Sequence, residues 1–279
     1  MKVEKPLINP ETEKLIDSVI NKLPQSLLIT GPLGIGLQTI GMYIAKSRGV
    51  KPTLILPEKN EQINTDEGII NIDIIRRLYQ QTSTKNAKEQ IFIIDYAERM
   101  THQAQNAFLK LLEEPNETIY FILLSHTTSN ILPTIMSRVR HINLRLLTNS
   151  QTELLLKQLK VIDKVERSQL LFIASGLPAE IIRLVNDKNY FVKRSQIIKD
   201  AKVLVTGTLY QKLLIAQKYK DDRSNSLILV MDTANILKKS LSDTVNQEKI
   251  IRYIDKTLRT YDRILSNGNI RLCLVEMVL

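Results

Sequence analysis

Short unbroken apolar runs fill the first half of the chain, and periodic apolar stripes fill the second. Runs at 27–30, 53–56, 91–95 and 120–125 carry few polar positions, and 140–144 continues the series with Ile142 and Leu144. Such runs predict strands covered on both faces, as in a parallel sheet flanked by helices. Between them, stretches at 37–47, 72–83 and 102–113 repeat apolar residues with the helical period. In the last of these Ala104, Ala107, Phe108, Leu111 and Leu112 form one stripe, and Pro115 ends it. A first helix carries Leu15, Ile16, Val19, Ile20 and Leu23 and stops at Pro24. Alternating strands and helices predict an α/β domain over 1–148, built on a five-stranded, mostly parallel sheet.

Beyond residue 148 the strand signal fades. Thr148-Asn149-Ser150 reads as a linker and helix cap, and Gly176-Leu177-Pro178 as a break between later helices. A small helical domain is expected over 149–194 and an all-α domain over 195–279, with turns near 221–226 and 266–269. No internal repeat or low-complexity tract interrupts the pattern.

Composition narrows the class. The chain has 279 residues, one cysteine and a net charge of +10. Disulfides and a cysteine-built zinc module are excluded, and Cys273 reads as a small core residue. Residues 1–6 lack the apolar core of a signal peptide and no run could span a bilayer, so the expected location is the cytoplasm, without a membrane. Up to residue 148 there are 17 basic and 15 acidic side chains; after it there are 22 and 14. That excess suits a polyanionic partner, nucleic acid before membrane, and equally suits a solvated helical domain.

The chemistry begins after the first strand run. Gly31-Pro32-Leu33-Gly34-Ile35-Gly36-Leu37-Gln38-Thr39 places its glycines as the phosphate-binding template G-x-x-x-x-G-K-[ST] does. Leu37 stands where the phosphate-reaching lysine belongs, and Gln38 where a hydroxyl would ligate Mg²⁺. Gly31, Gly34, Gly36, Thr39 and Asp95 therefore outline a nucleotide site that is degenerate. Ile91-Phe92-Ile93-Ile94-Asp95 has the form of a Walker B strand, but Tyr96 follows where a catalytic glutamate often stands, and a phenol is a poor base at neutral pH. His102, His126 and His141 are scattered and form no metal site.

Several blocks then follow in order: the strand ending at Asp95, the helix Ala104-Gln105-Asn106-Ala107-Phe108-Leu109-Lys110-Leu111-Leu112-Glu113-Glu114-Pro115, the strand run 120–125, and Leu132-Pro133-Thr134-Ile135-Met136-Ser137-Arg138. This succession resembles the AAA+ module of bacterial replicative clamp loaders, the DNA polymerase III γ/τ and δ′ subunits. The match is good over roughly 20–145 and covers the helical remainder in outline. The resemblance implies an AAA+ domain, a helical lid and a helical collar that joins subunits. It implies that Ser137 and Arg138 present an arginine finger to ATP held with Mg²⁺ by a neighbour. It also implies partners: γ/τ and δ subunits, the sliding clamp (β) and the backbone of primed DNA. A sensor arginine expected early in the lid is replaced by Ala179, with Arg183 one turn on. With lysine, glutamate and sensor absent and the finger present, the pattern resembles δ′ more than γ/τ, a subunit with no nucleotide cofactor or turnover of its own. Two alternatives stay open: an active ATPase using Gln38 or Thr39 for Mg²⁺ and Glu98 as base, and a stand-alone basic DNA-binding protein.

Overall fold

A computed structural model describes residues 5–65, 67–82, 88–114, 116–240, 247–265 and 268–279. Pro115 and the 266–267 part of the expected last turn lie outside these. The chain divides into two compact units, Met1–Val185 and Asn186–Leu279.

In the first unit a helix α1 (Pro10–Asn21) precedes strand β1 (Ser26–Thr30) and helix α2 (Leu37–Ser47). Strand β2 (Thr53–Ile55), a hairpin of β3 (Glu58–Lys59) and β4 (Gln62–Ile63), and helix α3 (Ile72–Thr82) follow. Then come β5 (Gln90–Ile94), a 3₁₀ turn (Ala97–Arg99), α4 (His102–Glu113), β6 (Ile119–Ser125), the one-turn α5 (Pro133–Met136) and β7 (Arg140–Asn143). The sheet runs β2-β5-β6-β1-β7, every pairing parallel.

The apolar runs of β1, β5 and β6 are strands covered on both faces, whereas the edge strands β2 and β7 are largely exposed. Side chains alternate along each strand. Leu28, Phe92, Ile94, Phe121 and Leu123 join one core with Ile75 and Leu78 of α3 and Phe108 and Leu111 of α4. Leu27, Ile29, Ile91, Ile93, Ile122 and Leu124 join the other with Ile16 and Val19 of α1 and Ile40 and Ile44 of α2. Phe108 sets its ring edge against Phe121, centroids 5.2 Å apart.

The β3–β4 hairpin was not expected. Asn60 and Glu61 turn it with φ of 52° and 63°, the left-handed geometry that two-residue hairpins need. It occupies part of the stretch between α2 and α3 and is tied down by Arg77 on Glu58 and by Arg99 on the carbonyl of Thr65.

Three more helices, α6 (Asn149–Gln158), α7 (Lys164–Ala174) and α8 (Pro178–Asn186), complete the sequence of elements around the first unit. Thr148 caps α6 in a capping box with Gln151, as the linker reading anticipates.

The second unit is helical: α9 (Lys188–Thr206), α10 (Leu209–Lys218), α11 (Arg223–Ser240), α12 (Gln247–Leu265) and α13 (Ile270–Val278). The expected boundary between 194 and 195 falls inside α9, whose N-cap Asp187 accepts from the Tyr190 N–H. The expected turn at 221–226 is shorter than read. Ser226 belongs to α11, fully buried, with its hydroxyl near the Tyr219 and Asp222 carbonyls. Asn269 caps α13, and Cys273 lies in the core with Ile197, Leu229 and Leu274.

Inside this core Arg194 of α9 meets Asp232 of α11 through two contacts, 2.5 and 3.3 Å. Both are buried, at 5% and 6% exposure. A buried pair of this kind adds little by itself, but removing one partner strands the other charge. Asp232→Ala is expected to lower the unfolding free energy by about 3–5 kcal/mol, read from urea denaturation.

Candidate functional site

Parallel pairing brings the carboxyl ends of β1, β5 and β6 to one edge of the sheet, where loops of open α/β folds build their sites. Thr30 pairs with Ser125, and Ile94 with Leu123. Gly31, Asp95 and His126, each one residue past these strands, therefore lie along the same edge. The Gly31 N–H donates to the Ser125 carbonyl at 3.4 Å, and His126 Nδ1 lies 3.1 Å from the Gly31 carbonyl, a bond that needs the proton on Nδ1.

The loop keeps the bend of a phosphate loop. Gly34 and Gly36 take φ of 86° and 93°, and Gly36 ends the loop as the N-cap of α2 without any side-chain cap. Its interior is apolar. Ile35 is 5% and Leu37 3% exposed, both packed with Ile29, Ile40 and Leu144. The position expected to send a cation toward phosphate thus points into the core. Gln38 and Thr39 are exposed at the start of α2.

Helix α8 closes on this loop. The Glu180 N–H donates to the Gly34 carbonyl at 3.0 Å. A Cβ on Gly34 would stand 2.8 Å from that of Glu180, and one on Gly36 would stand 3.5 Å from that of Ala179. Where the sensor arginine was expected, a methyl group packs on the loop, and the next residue sets its Cβ against Gly34.

Asp95 is 6% exposed, and its Oδ1 accepts the N–H of Tyr96 at 3.0 Å. Burial pushes its carboxyl above the ordinary value of 3.8, partly offset by that N–H and by His126. Tyr96 holds a left-handed backbone, φ 55°. Its ring meets the edge of His126, centroids 5.6 Å apart, and the Arg99 guanidinium lies 4.7 Å over it. Glu98, weighed as a substitute base, is 9% exposed and is engaged 2.8 Å from the Ser125 hydroxyl. It serves as an internal acceptor under the loop. Sequence reasoning had no signal for the Ser125, His126 and Glu98 contacts, which join residues 27 and 95 positions apart.

Ser137 and Arg138 lie elsewhere, at the end of α5. Arg138 is exposed; its Nη1 donates to the Thr134 carbonyl at 3.0 Å, and its Nη2 lies 2.9 Å from Glu113 Oε1. The structure therefore separates the expected residues into two groups: Gly31, Gly34, Gly36, Thr39 and Asp95 at the sheet edge, and Ser137 with Arg138 on the surface.

A family model described as DNA polymerase III, delta subunit, matches residues 52–148. The chain is 29% identical over 130 residues to the DNA polymerase III subunit delta′ of Haemophilus influenzae. Over this stretch the chain is similar to DNA polymerase III subunits. That alignment covers 46% of this chain and 38% of the Haemophilus protein, so the shared stretch is under half of either. A gamma/tau subunit from Mycobacterium tuberculosis is 41% identical over 61 residues, 22% of this chain and 11% of that one. The likeness to clamp-loader sequences thus reaches both branches. At the level of fold, a gamma subunit-related protein from Thermotoga maritima superposes with a TM-score of 0.54 at 19% identity, covering 96% of this chain and 97% of that one. The fold is AAA+, with a helical C-terminal part.

Two substitutions test this description of the loop. Gly34→Ala should lower stability by about 1–3 kcal/mol, through left-handed strain and the clash with Glu180. Asp95→Asn keeps an acceptor for Tyr96 and removes the buried charge. Because the folded-state value lies above the unfolded one, the ionic penalty exists at higher pH and vanishes below the ordinary aspartate range. Thermal melts should show Asp95→Asn above the parent near neutral pH, with the gap closing as the pH falls toward 3.8.

Proposed function

We propose that the chain is a non-hydrolysing, δ′-type subunit of a replicative clamp loader, lending Arg138 to ATP bound with Mg²⁺ by a neighbouring subunit. The observation that carries this reading is the burial of Leu37 in the core, where the phosphate lysine should emerge. Ala179 against Gly36 and Tyr96 after Asp95 agree with it. A loop without lysine, sensor arginine or free base has little with which to stabilise a leaving phosphate.

Arg138 supports the second half of the reading. A guanidinium is always charged and offers a planar fork of donors, so it can act on a phosphate held by another chain. Its side chain is 39% exposed, at the end of a short helix whose base, Ile135, is fully buried. In this reading the helices of the second unit join γ/τ and δ subunits in a collar. The assembly opens the sliding clamp and sets it on primed DNA, and DNA contact runs through phosphates, positioning without reading sequence. Glu98, bound to Ser125, speaks against the chain being an ATPase in its own right.

Two measurements test the proposal. Calorimetry of the isolated chain with MgATP should give no saturable binding at micromolar concentration, and a micromolar dissociation constant would refute the degenerate loop. Arg138→Ala should leave assembly with γ/τ and δ intact and lower the ATPase of the reconstituted complex by at least about ten-fold at the site it faces. An unchanged rate would remove Arg138 from the mechanism.

A further inference from the structure

The contact between Arg138 and Glu113 joins the end of α5 to the last residue of α4. Each end is firmly based. Phe108, Leu111 and Leu112 of α4 and Ile135 of α5 share one core, with Val139 packed against it. The Arg138 N–H donates to the Ile135 carbonyl at 2.9 Å. Nη1 is held by the Thr134 carbonyl at 3.0 Å and lies 3.3 Å from the Ser137 hydroxyl. One edge of the guanidinium is thus fixed by its own turn, and Nη2 is fixed by a carboxylate from a different element.

Glu113 is placed against the preference of its own helix. The C-terminus of α4 carries the negative end of the helix dipole, where cations are favoured. Here Glu113 is the last residue and Glu114 the C-cap, with only Lys110 basic in that turn. Helix stability gives no reason for an acid at this position, whereas a cation to be held does. The pair is also open to water: the Glu113 side chain is 49% exposed and that of Arg138 39%. Exposed pairs are weak and readily exchanged. A triphosphate offers more negative charge than one carboxylate, and inside a subunit junction it would do so at lower dielectric.

We infer that Glu113 is a positioning residue that parks Arg138 by its Nη2 edge and yields it to the neighbour's triphosphate. The inference rests on the finger reading of Arg138. The parked and engaged arrangements compete for the same nitrogen, so Glu113 sets how much of the time the finger is available while Thr134 keeps it aimed.

The test uses the complex reconstituted with γ/τ and δ subunits, with MgATP as substrate. Glu113→Gln preserves shape and removes the charge. It should raise kcat/KM two- to five-fold, the range an exposed ion pair can supply. Glu113→Asp retains a carboxylate and should stay near the parent. In the Arg138→Ala background, Glu113→Gln should change nothing, because no finger remains to release. A Glu113→Gln rate at or below the parent, with Arg138→Ala impaired, overturns the parking role and leaves the finger reading standing. An equal rise in the Arg138→Ala background overturns it too, since Glu113 would then act by another route. A parental rate in Arg138→Ala removes the finger reading itself, and the parking role with it.

Discussion

The parallel register of β1 against β6 is the constraint on which the remainder of the first unit depends. Thr30 opposite Ser125 fixes where the loop 31–36 departs and where His126 can reach it. The same register sends Leu28 to one core and Leu27 and Ile29 to the other. A slip of one residue would exchange every such side chain between faces, and both faces are fully covered. The edge that carries the candidate site is therefore set by burial, independently of any ligand. Chemistry on that edge can be lost without the fold losing its definition.

Packing occupies the position where the phosphate-loop template places its lysine. Burying a side chain of Leu37's size stabilises by about 1.5–3 kcal/mol, whereas a lysine confined there would have to reach water or lose its charge. Ile35 fills the adjacent space, and α8 caps the loop through Gly34 and Gly36. The glycines that a nucleotide needs for close backbone approach are used here for close approach of a helix. The loop and helix α8 are joined by the Glu180 N–H on the Gly34 carbonyl and by the close approach of Ala179 to Gly36.

Much of this was legible in the sequence, for identifiable reasons. The strand runs and the bounds 37–47 and 102–113 followed from continuous apolar character and from periodicity, signals that double-sided burial makes strong. The hairpin at Glu58–Ile63 was missed because its strands are two residues long and its left-handed turn uses Asn60 and Glu61 without a glycine. The second-unit boundary was misplaced because Asn186 and Asp187, a plain stop and cap, sit amid weak apolar periodicity, and α9 runs on from them. At the site, glycine spacing and the missing lysine were visible residue by residue. The ties of Glu98 to Ser125 and of Arg138 to Glu113 were not, since nothing in a linear pattern couples side chains 25 or more positions apart.

Under the proposed finger reading, keeping this α/β frame has a physical rationale in where Arg138 sits. A cation that acts on another chain's phosphate must be held to within a fraction of an ångström, and a loop alone does not provide that. Arg138 hangs from a single helical turn between β6 and β7, the two strands that flank β1. Ile135 roots that turn beside Phe121 and Leu123, in the same core that Phe108 and Leu111 fill from α4. The sheet, α4 and α5 thus act as one mounting for the guanidinium. The loop that follows β1 is itself tied by His126 on the Gly31 carbonyl and by the Glu180 N–H on the Gly34 carbonyl. Burial of the loop and support of Arg138 thus come from the two cores on opposite faces of one sheet.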